Sequence, residues 1–192
     1  MSIDGFTAGI NQSFEKPFGV NFDSDLLHRW MFAEPEKHQH AKEIDAILDA
    51  GAFIMGSNMF GPKDRRDNPE WKGWWGDNPP YHAPVFVLAH MEREPIEMTG
   101  GTTFIFVTDG IESALAKAKE VAGNRNVKIN GGANTVNQYL AAGLIDELWL
   151  HIIPVTIGSG TRLFEGVPNL TLEPIEVSGT SVVTHIRYKV LK

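Results

Sequence analysis

Cysteine is absent from the 192 residues of this sequence. Its absence excludes disulfide bonds, thiolate catalysis and zinc sites built on cysteine. Also absent are long apolar runs and the basic and apolar segments that begin a secretory signal. We therefore expect a cytoplasmic enzyme or binding domain without a membrane partner.

Positive charge is scarce, because 17 lysines and arginines face 24 aspartates and glutamates, for a formal net charge of −7. This balance disfavours a broad nucleic-acid surface, so no nucleic-acid partner is predicted. A local anion site is still compatible with it, since backbone N–H groups can bind anions without lysine. The length and the ordinary globular composition predict one domain over residues 1–192.

Helical spacing of apolar residues predicts three helices between residues 24 and 123. A short one would be capped by Ser24, and a longer one would span residues 36–50. The third would be capped by Asp109, with Glu112 completing a capping box.

Short apolar runs predict buried strands between these helices. A mainly parallel sheet is expected to pass through Ile54, Phe86, Ile105, Ile129 and Leu148, with the last strand, at 145–155, near its centre. Residues 181–191 alternate between apolar and polar, which predicts an antiparallel strand with one wet face. The fold class predicted is therefore α/β, a mixed sheet flanked by helices with a C-terminal antiparallel hairpin.

The stretch 127–140 carries the strongest functional signal, a strand followed by Gly131-Gly132 and the start of a helix. Adjacent glycines let the backbone approach a ligand, and a helix N-terminus attracts phosphate. A tight turn without a ligand is the alternative. A second turn, 56–61, also follows a buried strand, and two such turns would suit the two phosphates of a dinucleotide. For a third, Gly158-Ser159-Gly160, a plain flexible turn is favoured.

The seven histidines are scattered, and no His-Glu-x-x-His spacing joins them. His38 and His40 lie two apart on a predicted helix and would face different sides, so no metal site is predicted. His151 is expected to be a hydrogen-bonded core residue. The sequence identifies no catalytic nucleophile and no acid–base pair.

Residues 57–83 form a long irregular stretch that contains Trp71, Trp74 and Trp75. Packing of this loop on its own side chains is the favoured interpretation, and lining of a substrate pocket or a subunit interface is the alternative.

Several motifs together resemble the bacterial dihydrofolate-reductase-like family, which includes the reductase domain of the riboflavin-biosynthesis deaminase–reductase. They run from Ser-Ile-Asp-Gly-Phe at residue 2 to Gly-Ser-Gly-Thr-Arg-Leu-Phe at residue 158, and the Gly-Gly turn at 131–132 lies between them. The resemblance implies an NADPH-dependent oxidoreductase that is usually a homodimer and acts on a small molecule. The cofactor-binding residues it implies are Ala8, Gly56, Ser57, Asn58, Met59, His90, Gly131, Gly132, Ala133 and Asn134.

The resemblance also implies that Asp4, Trp30 and Asn130 face the substrate, although a structural Asp-Gly turn is the favoured role of Asp4. Ser57 stands where the family usually has an arginine for the 2′-phosphate of NADPH, so NADH is an alternative cofactor. The helix near Trp30 has no counterpart of the acid that helps to protonate dihydrofolate, so dihydrofolate reduction is not predicted. A non-catalytic nucleotide-binding or dimeric scaffold protein is the alternative function.

Overall fold

The computed structural model describes residues 1–192, which group into two compact units. One unit comprises residues 46–136, and the other comprises residues 1–45 together with 137–192. The single domain expected over residues 1–192 stays a prediction. None of the helices combines the length and the apolar character needed to cross a membrane.

The unit of residues 46–136 is built on a five-stranded mixed sheet. Its strands, numbered in chain order, are β2 (Ala52–Gly56), β3 (Pro84–Leu88), β4 (Ile96–Glu97), β5 (Thr103–Val107) and β6 (Val127–Gly131). They lie in the order β4-β5-β3-β2-β6, and only β4 runs antiparallel to its neighbour. Helix α5 (Ile111–Ala122) packs on β2 and β3, and the short helix α4 (Ser57–Phe60) follows β2 directly.

Every residue of β2 is buried, which fits the continuous apolar run of a central parallel strand. Phe53 and Met55 lie in a core with Phe60, Tyr81 and Phe104. Helix α5 begins after Gly110, and its start makes no side-chain capping bond. The capping box predicted for Asp109 is therefore wrong, because that carboxylate instead accepts hydrogen bonds from Ser113 (2.7 Å) and Lys117 (3.2 Å).

The unit of residues 1–45 and 137–192 contains two antiparallel sheets. Strand β1 (Phe6–Ala8) pairs with β8 (Thr161–Arg162), and β7 (Glu147–Ile152), β10 (Thr184–Leu191) and β9 (Thr171–Gly179) form a three-stranded sheet in that order. The predicted fold class is confirmed: a mixed sheet with helices and a C-terminal antiparallel hairpin. The position predicted for Leu148 is wrong, because its strand is the edge of the antiparallel sheet and pairs with β10 alone.

Helices α1 (Asp25–Phe32) and α2 (Glu36–Gln39) belong to this unit, and the chain passes between the units within α3 (Ala41–Leu48) and α6 (Ala133–Ala141). Ser24 precedes α1 as predicted but makes no side-chain cap bond. The single helix predicted over 36–50 is wrong. The backbone leaves helical geometry at His40 (φ −112°, ψ 18°), where the His40 side chain hydrogen-bonds Thr180 and His185.

The face of β10 predicted to be wet is buried at His185, whereas Lys189 farther along the same face is exposed as predicted. His185 pairs across the sheet with His151 on β7 and with Ser178 on β9, and the exposed fraction of His185 is 6%. The opposite row of Val177, Ile186 and Leu150 is half-buried or exposed. Arg187 pairs with Glu176 and Tyr188 with Pro174, so a bulge at Ile175 interrupts the period of two in β9, whereas the pairing of β10 with β7 is continuous.

Candidate functional site

The carboxyl ends of β2, β3, β5 and β6 lie at one edge of the parallel sheet. Gly56 pairs with Leu88, Leu88 with Val107, and Met55 with Gly131. This edge is where open α/β sheets bind ligands. Nine of the ten residues predicted to bind a cofactor lie at this edge. They belong to the ends of β2 and β6 or to the segments that follow β2, β3 and β6.

The Gly131-Gly132 turn ends β6 and has a cis peptide bond. Gly131 has a φ of +119°, which favours glycine, and is buried. Gly132 is exposed, and a Cβ atom there would meet no heavy atom within 4 Å. Helix α6 starts at the next residue, Ala133, with Asn134 in its first turn. The turn therefore leaves open space beside the backbone of Gly132. The positive end of the nine-residue helix α6 lies at the same turn.

Gly56 is required by packing. A Cβ atom at Gly56 would lie 2.3 Å from the Thr135 hydroxyl in the first turn of α6. Met59 of the same turn also lies close to the glycine pair, because its sulfur would be 3.7 Å from a Cβ atom at Gly131. The two turns predicted to hold a dinucleotide are thus neighbours.

Ser57, Asn58 and Met59 form most of α4, and the Asn58 side chain is exposed. The guanidinium of Arg66 donates a hydrogen bond to Asn58 Oδ1. Arg66 is a cation near the position where the resemblance has an arginine and this chain has Ser57. The sequence did not indicate it, because it comes from the loop that follows α4. His90 is exposed just beyond β3.

The loop from Gly61 to Ala83 packs on its own side chains and on the core, as the favoured interpretation predicted. Trp71 donates to the Phe60 carbonyl (3.1 Å), and Trp75 stacks on Phe104 at 5.8 Å between ring centroids. Arg93 donates to the carbonyls of Pro69 (2.7 Å) and Trp71 (2.6 Å) and lies over the Phe106 ring.

Asn130, predicted to face the substrate, hydrogen-bonds the buried hydroxyl of Tyr81. Burial raises the pKa of Tyr81, although this bond opposes the shift. The tyrosine is therefore a neutral partner, and the Asn130 side chain is tied to the core.

Three other predicted residues lie in the unit of residues 1–45 and 137–192. The Asp4 carboxylate accepts hydrogen bonds from the Ser2 hydroxyl (2.5 Å) and the backbone N–H of Gly158 (2.8 Å), and these bonds hold the pKa of Asp4 below its usual value. That geometry is the structural turn favoured for Asp4. Ala8 is buried in β1 and pairs with Thr161.

Trp30 is buried among three histidines. Its ring centroid lies 4.9 Å from that of His151, 4.8 Å from that of His185 and 5.8 Å from that of His40. His151 Nδ1 is 2.6 Å from His185 Nδ1, and His185 Nε2 is 2.9 Å from His40 Nδ1. Burial, with a smaller contribution from His185, lowers the pKa of His151 to about 3 and keeps its ring neutral.

The scattered histidines of the sequence thus form a cluster that their spacing did not predict. Correct register of the C-terminal strands would have paired His151 with His185. The place of His40 depends on the break between α2 and α3, which no local sequence pattern predicts. Glu43, in the first turn of α3, lies near both His40 and His185.

The proteins to which this chain is similar include two relatives and two solved structures. The uncharacterized YyaP of Bacillus subtilis (strain 168) is 37% identical over 166 residues, which cover 85% of this chain and 76% of YyaP. The uncharacterized YwjB of the same organism is 35% identical over 83 residues, 42% of this chain and 47% of YwjB. The match with YwjB thus spans about half of that protein.

A protein of Shewanella sp. PV-4, described as a candidate riboflavin biosynthesis protein, has a TM-score of 0.69 and 21% identity. The alignment covers 100% of this chain and 96% of that one. A Thermotoga maritima deaminase/reductase has a TM-score of 0.55 and 14% identity, with 99% and 54% of the two chains covered. These likenesses establish a shared fold.

The match to a family model agrees with the fold. The model described as the RibD C-terminal domain matches residues 1–184, nearly the whole sequence. The sheet edge with its glycine turns falls within that match. The chain therefore belongs to the RibD C-terminal domain family.

Proposed function

We propose that this protein is a reductase that binds NADPH at the edge of the parallel sheet and reduces a small molecule. The observation that carries the proposal is the open space at Gly132, which lies between the buried residues Gly131 and Ala133. Family membership supports it, since the Thermotoga maritima structure is described as a deaminase and a reductase.

The pyrophosphate of the dinucleotide would lie against Gly131-Gly132 and the first turn of α6. Backbone without a side chain allows close approach, and the start of a helix favours negative charge. A net charge of −7 does not oppose this, because the site needs no lysine.

The adenosine end would lie near Ser57, Asn58 and His90, as the resemblance implies. Arg66 supports NADPH over NADH, because its guanidinium is beside Asn58 and can pair with the 2′-phosphate that only NADPH carries. The guanidinium is 3.9 Å from the Asp67 carboxylate, a loose ion pair that a phosphate could replace.

The dinucleotide would supply hydride from its nicotinamide, and the protein would contribute positioning. Asp4 and Asn130 are both engaged in hydrogen bonds within the fold. Water or a loop residue would therefore supply any proton that the reduced acceptor needs.

A nucleotide-binding protein without reductase activity is the second candidate. The engagement of Asp4 and Asn130 favours it, since both side chains already hydrogen-bond within the fold. NADPH oxidation across a panel of small carbonyl and imine acceptors, measured after binding has been demonstrated, distinguishes the two. Binding without oxidation of any acceptor would favour the second candidate.

Calorimetry with Gly132→Val tests the site itself. The valine side chain would enter the space assigned to phosphate, so we expect the NADPH Kd to rise at least about tenfold, or ~1.4 kcal/mol. Gly143→Asn is the control: it alters the residue just beyond the other end of α6, where φ is +67° and no atom is near. Unchanged NADPH affinity in Gly132→Val, with the wild-type fold by circular dichroism, would overturn the pyrophosphate assignment.

A further inference from the structure

The buried cluster of His40, His151, His185 and Glu43 takes no part in the proposed nucleotide site. All four residues belong to the unit of residues 1–45 and 137–192. His40 and His185 are 3% and 6% exposed, and Glu43 is half-buried. The convergence of two imidazoles and a carboxylate at a place with so little solvent exposure calls for a chemical explanation.

We propose that His40, His185 and Glu43 bind a divalent transition-metal ion of the zinc class. One ligand atom from each residue lies within 4.8 Å of the other two. Zinc takes nitrogen ligands at about 2.0–2.1 Å, which sets tetrahedral neighbours about 3.3 Å apart. The observed 2.9 Å between His40 Nδ1 and His185 Nε2 would need to widen by only a few tenths of an ångström.

The other nitrogen of each ligand ring already has a partner. His40 Nε2 is 3.2 Å from the Thr180 hydroxyl, and His185 Nδ1 is 2.6 Å from His151 Nδ1. If each of these nitrogens carries the proton and donates it outward, the inner nitrogens are free to bind a metal. Metal-binding histidines are usually oriented by such outer hydrogen bonds.

The Glu43 carboxylate is also oriented by a hydrogen bond. The Ser178 hydroxyl donates to Glu43 Oε1 at 3.0 Å, and Ser178 is the cross-strand neighbour of His185. The buried Trp30 ring packs against both histidine rings in T-shaped contacts, which limits water around them. The site is thus assembled from α1, α3, the turn at His40 and the C-terminal sheet.

The ligand set selects the class of ion. Imidazole with carboxylate suits zinc, cobalt and nickel, whereas magnesium and calcium prefer oxygen alone. Three protein ligands leave a fourth position for water, as in zinc sites with two histidines and a glutamate. The half-buried Glu43 provides the side from which an ion can enter.

Equilibrium dialysis with Zn²⁺, using the full chain without a polyhistidine tag, tests the proposal. We expect one equivalent of Zn²⁺ to bind and Mg²⁺ not to compete. Glu43→Gln preserves the size of the side chain and its bond to Ser178, yet should raise the Zn²⁺ Kd at least about tenfold, since a charged ligand becomes neutral. His185→Gln should have the same effect.

The matched control is His38→Gln. His38 is exposed and lies 3.0 Å from Glu34, so it is a histidine–carboxylate pair outside the cluster. Its loss should leave Zn²⁺ affinity unchanged. Bound Co²⁺ gives a second readout that does not depend on activity, because its visible spectrum reports coordination number.

Absence of stoichiometric Zn²⁺ binding by the folded wild type would overturn the proposal and leave a hydrogen-bonded core cluster. So would equal Zn²⁺ affinity in Glu43→Gln and the wild type. NADPH binding that persists in Glu43→Gln would keep this site separate from the proposed nucleotide site.

Discussion

Arg66 is the single side chain on which cofactor choice is expected to depend. Its hydrogen bond to Asn58 brings a guanidinium beside a turn that lacks the family arginine at Ser57. Arg66→Gln should raise the Kd for NADPH by about tenfold to a hundredfold, since a hydrogen bond to a charged group contributes about 1.5–3 kcal/mol. The Kd for NADH should not change, and calorimetry with both dinucleotides measures the ratio.

Arg65→Gln is the control for that experiment, because the Arg65 guanidinium is directed to Asp64 at 3.7 Å. Ser57→Arg should act in the opposite sense and favour NADPH further. If the ratio of the NADPH Kd to the NADH Kd is the same in Arg66→Gln and the wild type, Arg66 does not contact the adenosine end of the cofactor.

Asp4 gives a prediction about pH. Hydrogen bonds from Ser2, Gly158 and Ile157 lower its pKa in the folded protein below the unfolded value of about 3.9. A lowered carboxyl pKa contributes stability that is fully present above the unfolded value and is lost as the pH falls through the folded one. Asp4→Asn should therefore lower the Tm at pH 7, and the difference from wild type should shrink at about pH 3.

Thermal unfolding at the two pH values measures this difference. Asp45→Asn, an exposed aspartate on α3, should leave the Tm near that of the wild type at both. A Tm difference for Asp4→Asn that is as large at pH 3 as at pH 7 would mean that its charge is not the cause.

Among the elements, the loop of residues 61–75 depends on Arg93. One guanidinium reaches three backbone carbonyls, those of Arg66, Pro69 and Trp71, and lies over two phenylalanine rings. A lysine ammonium cannot span these carbonyls. Arg93→Lys should cost about 1–3 kcal/mol of stability and increase hydrogen exchange in the loop.

Hydrogen exchange by mass spectrometry locates the change. Arg125→Lys alters an exposed ion pair with Asp49 and should leave the loop protected. An equal increase in hydrogen exchange along the whole chain of Arg93→Lys would indicate global destabilisation instead.

The elements also show what local sequence can predict. The strand before Gly131 and the buried run of β2 were predicted correctly, because each is encoded by adjacent residues. The hydrogen bond between Asn130 and Tyr81 was not predicted, because it joins residues far apart in sequence. Arg66 was missed for the same reason.

The histidine cluster shows the limit more sharply. Predicting it required the pairing of β7 with β10 and the helix break at His40. Both are set by tertiary packing, which overrides the simple periods of helix and strand. The alternation in β10 identified two faces, but His185 on the face predicted to be wet is buried, whereas Lys189 on that face is exposed as predicted.

For the molecule as a whole, the exposed apolar row on the C-terminal sheet predicts a homodimer. Glu176 and Ser178 face α3 through Lys42 and Glu43, so Val177 between them points to the opposite side. Val177 is 63% exposed and lies in a row with Ile186 and Leu150, and Ile175 at the neighbouring bulge is 48% exposed. Unpartnered apolar faces often mark interfaces.

Light scattering at micromolar concentration should therefore give twice the chain mass of 21.3 kDa. Val177→Glu should give the monomer, because a charge would be buried at the interface. Val121→Glu, the same change at a 51% exposed position on α5, should remain dimeric. A wild-type monomer mass would contradict the prediction.

The positions of the five tryptophans also have an optical consequence. Trp71, Trp74 and Trp75 lie in the loop that follows α4, whereas Trp30 is enclosed by histidines. Reduced nicotinamide absorbs at the wavelengths of indole emission, so the three loop indoles are suited to energy transfer to a nucleotide at the sheet edge. A paramagnetic ion such as Cu²⁺ at His40 and His185 would quench Trp30. With single tryptophans replaced by phenylalanine, the intrinsic fluorescence of the chain would show which indoles respond to each ligand.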